Sequence, residues 1–266
     1  MACYVAFNFI VWTSSCYFIG VDYCMNVDVI VSINVHENVP FLLTQLQNIQ
    51  TYLTCTYIVI LNCNDYMKNE LRHVQLPNVH IHPRTLNKKR ESGTLTQGIY
   101  LNMIHAIRIA SFKYFMVLSS RNLFYQPLTI AVLDARQKTA NSIEDLKHSV
   151  PPPYHRWHWP TFLKTKLAKH YRSNELHLHG SCHEGLVFHH DVCQNIIRFL
   201  ERHPSIRDDL FQFPWCVEEF ALQTISMYEM NRENRHYGFT TINKSVNTDE
   251  TVPTDPEWYV YKTNRI

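Results

Sequence analysis

Two adjacent glutamates, Glu218 and Glu219, are the residues of this chain whose types and spacing most directly suggest chemistry. They follow an aromatic-proline turn and open an apolar run, in the stretch 213–225, FPWCVEEFALQTI. One carboxylate of such a pair can point into a cleft as a general base, which needs a fixed position and a pKa set by its surroundings. The alternative is structural, because Pro214 favours a helix start and carboxylates in a first helical turn are stabilised by the backbone dipole. These residues alone leave both explanations open.

The length and composition set the first limits on the function. The chain has 266 residues, of which 45% are hydrophobic and 18% charged, enough for one large domain or two small ones with a sizeable core. The net charge of +2 argues against a general nucleic-acid binder. With only 6 glycines and no G-x-G-x-x-G or Walker-type motif, a glycine-rich phosphate loop is not expected.

Cysteine and histidine do not form a strong metal-binding pattern. The 8 cysteines include no C-x-x-C and resemble scattered small hydrophobes, although one or two disulfides remain open. Among the 16 histidines, His177-x-His179 with His183, and His189-His190, raise the question of zinc. No Cys/His spacing repeats, so the sequence favours polar or aromatic packing for these side chains.

The N-terminal segment, residues 2–21, carries no charge and is close to a membrane-spanning length. Polar residues interrupt it and no Lys or Arg flanks it, so an anchor competes with a packed element or an upstream extension. We therefore separate an extension, 1–26, from a domain, 27–266. An active anchor would imply a Golgi- or ER-type membrane, and its absence a cytoplasmic location.

The first half of the domain alternates strands with helices. Buried strands are predicted at 28–35, 56–62, 78–83 and 112–120, and helices at 41–52 and 94–111. This alternation is typical of a parallel sheet with helices on both faces. We predict an α/β fold, a mixed sheet flanked by helices in a single domain. Ligands in such sheets bind outside the carboxyl ends of the strands.

The second half has a different character. A rigid aromatic loop, 151–160 (PPPYHRWHWP), offers flat rings that either stack on a sugar or pack the loop itself. Helices are predicted at 163–171, at 192–202 and from the glutamate pair to about 230, before an irregular basic tail. No Asp-x-Asp triplet, an arrangement that can hold a divalent ion, occurs in the chain; the most similar pairs, Asp208-Asp209 and Asp249-Glu250, stand in polar, loop-like contexts.

Five segments, in chain order, match motifs of one protein family. They are the strand 29–35 with His36; Arg90, Gly93 and Gln97 before and within a helix; YFMVLSS with Arg121-Asn122, against "YFhhLSGxDxP"; Gly180-Ser181, against "GSxWF"; and EEFALQTI from Glu218, against "DExFFxTh". The chain thereby resembles the core-2/I-branching N-acetylglucosaminyltransferase family, which also contains the peptide O-xylosyltransferases. The resemblance covers roughly residues 27–266.

The resemblance implies a GT-A-like fold and an inverting transfer without a required metal or other cofactor. The donor would be UDP-xylose or UDP-N-acetylglucosamine, and the acceptor a glycan or glycoprotein hydroxyl. Residues 27–125 would form the nucleotide-binding half and residues 126–266 the acceptor-binding and catalytic half. The chain departs from the motifs at Ser120-Arg121-Asn122, where the family often has Asp before Pro, and at Glu218, where Asp is usual. A non-catalytic nucleotide- or carbohydrate-binding domain is therefore the alternative, and a metal-dependent hydrolase using the His-rich half is a third reading.

The resemblance also assigns roles to single residues. An inverting transfer needs a base for the acceptor hydroxyl and positive charge for the leaving diphosphate. Glu219 matches the catalytic base, and Lys262 and Arg265 match a late cationic pair that holds the diphosphate. The donor side is completed by Val35, His36, Asn62, Arg90, Ser120 and Arg121. The acceptor side would use Glu184, Glu218, Trp157 and Trp159.

Overall fold

The computed structural model describes residues 25–35, 38–72, 78–87, 92–139, 159–181, 183–228, 238, 240–242 and 259–262. The elements in chain order are β1 (Met25–Asn34), α1 (Val39–Tyr52), β2 (Tyr57–Asn62), α2 (Asp65–Leu71), β3 (Val79–Ile81), α3 (Thr94–Ile109), β4 (Ala110–Ser119), β5 (Asn122–Phe124), α4 (Ile130–Thr139), α5 (Trp159–Phe162), α6 (Lys166–Arg172), β6 (Leu186–His189), α7 (His190–Arg202), α8 (Pro204–Gln212), α9 (Ala221–Tyr228), β7 (Thr240–Thr241) and β8 (Val260–Lys262).

Six strands form a mixed sheet in the order β3-β2-β1-β4-β6-β7. The first four strands run parallel, whereas β6 is antiparallel to β4 and β7 is antiparallel to β6. The chain moves outward from β1 to β3 and then returns through α3 to β4 on the other side of β1. The strand order therefore reverses between β1 and β4, which is the switch point where open α/β sheets bind ligands. The α/β prediction is confirmed, and the architecture is compatible with a Rossmann-like fold.

Both faces of the sheet are buried, which explains why its central strands read as continuous apolar runs. Side chains such as Ile30 and Phe115 belong to one core, packed against α3, α6, α7, α8 and α9. Their neighbours Val29, Val31 and Met116 belong to the opposite core, packed against α1, α2 and α4. Alternate residues of one strand thus support two helical layers.

The structure corrects the sequence reading at one acidic pair. Asp208 and Asp209 lie within α8 rather than in a loop. Pro204 begins this helix at its first turn, where the missing N–H costs no hydrogen bond, and Ile206 and Leu210 bury one face. The Asp209 carboxylate accepts a hydrogen bond of 2.7 Å from the backbone N–H of Lys166, at the start of α6. This carboxylate therefore joins two helices.

The predicted N-terminal anchor, residues 2–21, lies outside the described residues. Among the helices that the structure describes, none is both long enough and apolar enough to cross a bilayer.

Candidate active site

The carboxyl ends of β1 and β4 meet at the switch point. The strand register pairs Asn34 of β1 with Ser119 of β4, the last residue of each strand. The Asn34 side chain donates a hydrogen bond of 2.8 Å to the carbonyl of Leu95, in the first turn of α3. The N-terminus of α3 is thereby fixed beside the end of β1, so both strand ends and a helix start border the same edge of the sheet.

Buried amides hold the turn that follows β4. The Gln45 side chain, from α1, donates to the carbonyls of Ser119 and Asn122 at 2.7 and 2.8 Å. The backbone N–H of Ser119 donates to the side-chain oxygen of Asn122 at 2.7 Å. The last described strand, β8, pairs with β5 so that Lys262 lies opposite Asn122. The C-terminal strand therefore brings the backbone of Lys262 to the end of β4.

The loop that carries Glu218 and Glu219 is anchored at both ends by distant segments. At its start, the backbone N–H of Gly93 donates to the carbonyl of Phe213 at 2.9 Å. At its end, the backbone N–H of Ser181 donates to the carbonyl of Glu219 at 2.9 Å. The loop is therefore positioned by tertiary hydrogen bonds rather than by its own sequence alone.

Two glycines allow these close approaches. A Cβ added at Gly180 would lie 2.4 Å from the Cδ1 of Phe220, which directly follows the glutamate pair. A Cβ added at Gly93 would lie 1.9 Å from the carbonyl oxygen of Leu210, near the end of α8. Any larger side chain would push these segments apart.

Glu218 is turned into the protein. The residue is 1% exposed, and its carboxylate accepts a hydrogen bond of 2.9 Å from the backbone N–H of Val217. Burial raises the pKa of this carboxyl, against the lowering effect of His183 and backbone hydrogen bonds. The following helix, α9, begins at Ala221 with no acidic residue in its first turn. The backbone N–H of Ala221 donates to the carbonyl of Val217 at 2.8 Å, so the pair lies in the turn that leads directly into this helix. Glu218 also lacks the exposed surface that its expected contact with an acceptor would require.

The imidazole of His183 lies between two carboxylates from different parts of the chain. Its Nδ1 lies 3.9 Å from Oε1 of Glu219, and its Nε2 lies 4.0 Å from Oε1 of Glu184. The side chains of His183, Glu184 and Glu219 are 18%, 5% and 17% exposed. Burial lowers the pKa of His183, but the carboxylates of Glu184, Glu219 and Glu218 outweigh it and raise this pKa to about 9. The neighbouring carboxylates therefore favour the protonated, charged form of the imidazole.

This carboxylate–imidazole cluster lies beside the end of β4. The backbone N–H of Gly185 donates to the carbonyl of Val117 at 2.7 Å, and the next residue, Leu186, pairs with Val117. His183 and Glu184 therefore precede β6 at the edge where β4 ends. Glu219 reaches the same edge through Ser181 and His183.

The sequence-predicted residues fall into three groups. Glu184, Glu218 and Glu219 come together in the cluster. Val35, Asn62 and Ser120 are buried at the strand ends, and Arg121 is partly exposed in the turn after β4. The predicted site residues that lie outside the described residues are His36, Arg90, Trp157 and Arg265, together with the side chains of Trp159 and Lys262.

The sequence pointed to His183 only as a possible zinc ligand and to Asn122 only as part of a departure from the family motif, and it indicated no role for Gln45 or Asn34. A local signal for His183 was present, because His183 and Glu184 are adjacent ionisable residues. The buried amides gave no comparable signal, since Gln and Asn are ordinary surface residues.

Metal binding has little geometric support in the described part of the chain. No group of three or more His, Cys, Asp or Glu side chains there is arranged to hold an ion. His189 and His190 instead lie 3.8 and 3.4 Å from Asp191. Within the described residues, Cys55, Cys63, Cys193 and Cys216 form no disulfide.

No family model matches the chain, and no curated protein matches it.

Proposed function

We propose that the chain is an inverting, metal-independent glycosyltransferase with a GT-A-like fold. It would move xylose or N-acetylglucosamine from a UDP-sugar to a hydroxyl of a glycan or glycoprotein. The proposal is supported by the motif order and by the position of the glutamate cluster at the ligand-binding edge of the sheet.

The observation that carries the proposal is the environment of Glu219. Its side chain is more exposed than that of Glu184, while Glu218 is buried and bonded to Val217. Its backbone is tied to Ser181 and its carboxylate lies 3.9 Å from the His183 imidazole. A fixed and accessible carboxylate is what a general base requires.

The reaction is a single displacement at the anomeric carbon. The acceptor oxygen forms a bond to that carbon as the bond to the UDP oxygen breaks, and the acceptor proton passes to Glu219. The departing diphosphate needs positive charge. Arg121 in the turn after β4, Lys262 opposite Asn122, and Arg265 are the side chains proposed for that role.

The direct test is UDP release from a panel of UDP-sugars with glycan acceptors, measured with and without EDTA. We expect release from UDP-xylose or UDP-N-acetylglucosamine at the same rate in EDTA. Loss of all activity in EDTA would contradict the assignment of the metal's role to cationic side chains.

Replacement of the base gives the second test. Glu219→Gln should lower kcat by about 10²- to 10⁴-fold, because the amide cannot accept the acceptor proton, while UDP binding is retained. The matched control is Glu218→Gln, the same change at the neighbouring buried residue, which should lower kcat by less than about tenfold. Equal losses in both variants would remove Glu219 as the base.

A non-catalytic nucleotide- or carbohydrate-binding domain is the second candidate. It is favoured by the turn after β4, where Ser120 is fully buried and the Asn122 side chain bonds the backbone of Ser119 and Tyr261. These side chains are committed to the fold at the position where the family motif has an acidic residue. Calorimetric binding of UDP, with neither transfer nor hydrolysis of any donor, would support this candidate.

A further inference from the structure

The position of His183 has a consequence beyond the assignment of Glu219. Its two ring nitrogens lie near carboxylates on opposite sides, Glu184 at 4.0 Å and Glu219 at 3.9 Å. The loop with His183 precedes β6, whereas Glu219 precedes α9, so one imidazole links two segments that are separate in sequence. Glu218 is the third carboxylate that acts on this ring.

We propose that His183 is a positioning residue whose imidazolium holds the Glu219 carboxylate ionised and in place, with Glu184 orienting the ring from the other side. This inference rests on the proposed function, and it assigns His183 no contact with the substrate. Three carboxylates gathered in a mostly buried cluster would otherwise favour uptake of a proton by one of them. The cation offsets that repulsion and leaves Glu219 able to accept a proton from the acceptor.

The charges of His183 and its neighbouring carboxylates can be tested by a measurement that does not require enzymatic activity. In the full chain labelled at histidine, NMR follows the imidazole signal that disappears in His183→Gln. We expect a titration midpoint near 9 in the wild type, falling toward the ordinary 6.5 in Glu219→Gln and in Glu184→Gln. A drop of one pH unit is a tenfold loss of proton affinity. An unchanged midpoint in Glu219→Gln would overturn the link between the two side chains.

The kinetic test separates positioning from a merely structural role. In His183→Gln, we expect kcat to fall by roughly 100-fold, because a base displaced by about 1 Å loses its alignment, with little change in the KM for the donor. The acid limb of the pH profile should move to higher pH, because the remaining carboxylates favour a protonated Glu219. His183→Lys retains a positive charge and should return the acid limb toward the wild-type position. A loss of kcat with an unmoved acid limb, in a variant as stable as the wild type, would overturn the proposal.

The matched control is His190→Gln. His190 also stands beside a carboxylate, with its Nδ1 3.4 Å from Asp191, but at the start of α7. This variant should keep the wild-type pH profile, and a shift equal to that of His183→Gln would contradict a local effect. If the wild type releases UDP from no donor, the proposed function fails, whereas the NMR titration still decides whether His183 and Glu219 are coupled.

Discussion

Glu218 and Glu219 are consecutive residues, yet their carboxylates have different environments. Glu218 is buried and accepts a hydrogen bond from Val217, and burial raises its pKa. Glu219 is partly exposed and faces the His183 imidazole. Pairs of titratable groups with divergent surroundings are the usual basis for separate chemical roles. At the scale of single residues, burial therefore distinguishes the two glutamates and favours Glu219 as the proposed base.

The raised pKa of His183 predicts how stability depends on pH. The folded state holds this proton up to about 9, whereas the unfolded chain releases it near 6.5. The stabilisation is complete below 6.5 and is lost as the pH rises through about 9. It amounts at most to something on the order of 3 kcal/mol, from the size of the shift.

Urea unfolding across this pH range, in the wild type and in His183→Gln, measures the effect. The free energy of unfolding of the wild type should fall more steeply with rising pH than that of the variant. Parallel curves for the two proteins would contradict a protonated His183 in the folded state.

At the scale of elements, helix α1 supports the end of β4 through one side chain. Gln45 is fully buried and donates to two carbonyls, those of Ser119 and Asn122. Buried carbonyls without a donor cost free energy, because folding removes their hydrogen bonds to water. A polar residue in the apolar face of α1 is thus explained by the turn that it completes.

Gln45→Leu should therefore lower the free energy of unfolding by about 2 to 4 kcal/mol, since two acceptors lose their donor. The matched control is Gln47→Leu, an exposed glutamine of the same helix, which should change stability by less than about 0.5 kcal/mol. Urea midpoints compare the two variants. If both variants lost equally little stability, water would be replacing the Gln45 amide as the donor at the turn.

At the scale of the whole molecule, the loop with the glutamate pair depends on close packing between α3 and α8. The N–H of Gly93 bonds to Phe213, and its Cα faces the carbonyl of Leu210 too closely for a Cβ. The contacting atoms are backbone atoms of a helix end, so they cannot move aside as a flexible side chain would.

Gly93→Ala should accordingly destabilise the protein by about 1 to 3 kcal/mol, and alanine is also the poorer residue at the N-cap position that Gly93 occupies. Denaturant unfolding measures this as a lower midpoint with an unchanged m-value. A variant as stable as the wild type would mean that the α3–α8 contact is looser than the structure has it.

The extent of successful sequence prediction differs between the two halves. The predicted strands at 28–35 and 112–120 correspond to β1 and β4 within a few residues, because buried parallel strands form short, β-branched runs. Helix α8 was not predicted, and the short strand β8 was hidden in a tail read as irregular. Such elements owe their structure to packing partners and carry weak local signals.

The sequence by itself determined the α/β class and the positions of the strand ends, and it singled out the glutamate pair as the candidate for chemistry. These features follow from local patterns, because hydrophobic periodicity and turn-forming residues act between near neighbours in the sequence. Only the tertiary structure decided which glutamate is accessible and brought His183 and Lys262 to that edge of the sheet. Those outcomes depend on hydrogen bonds between distant segments, such as Ser181 to Glu219, and no local pattern encodes such contacts.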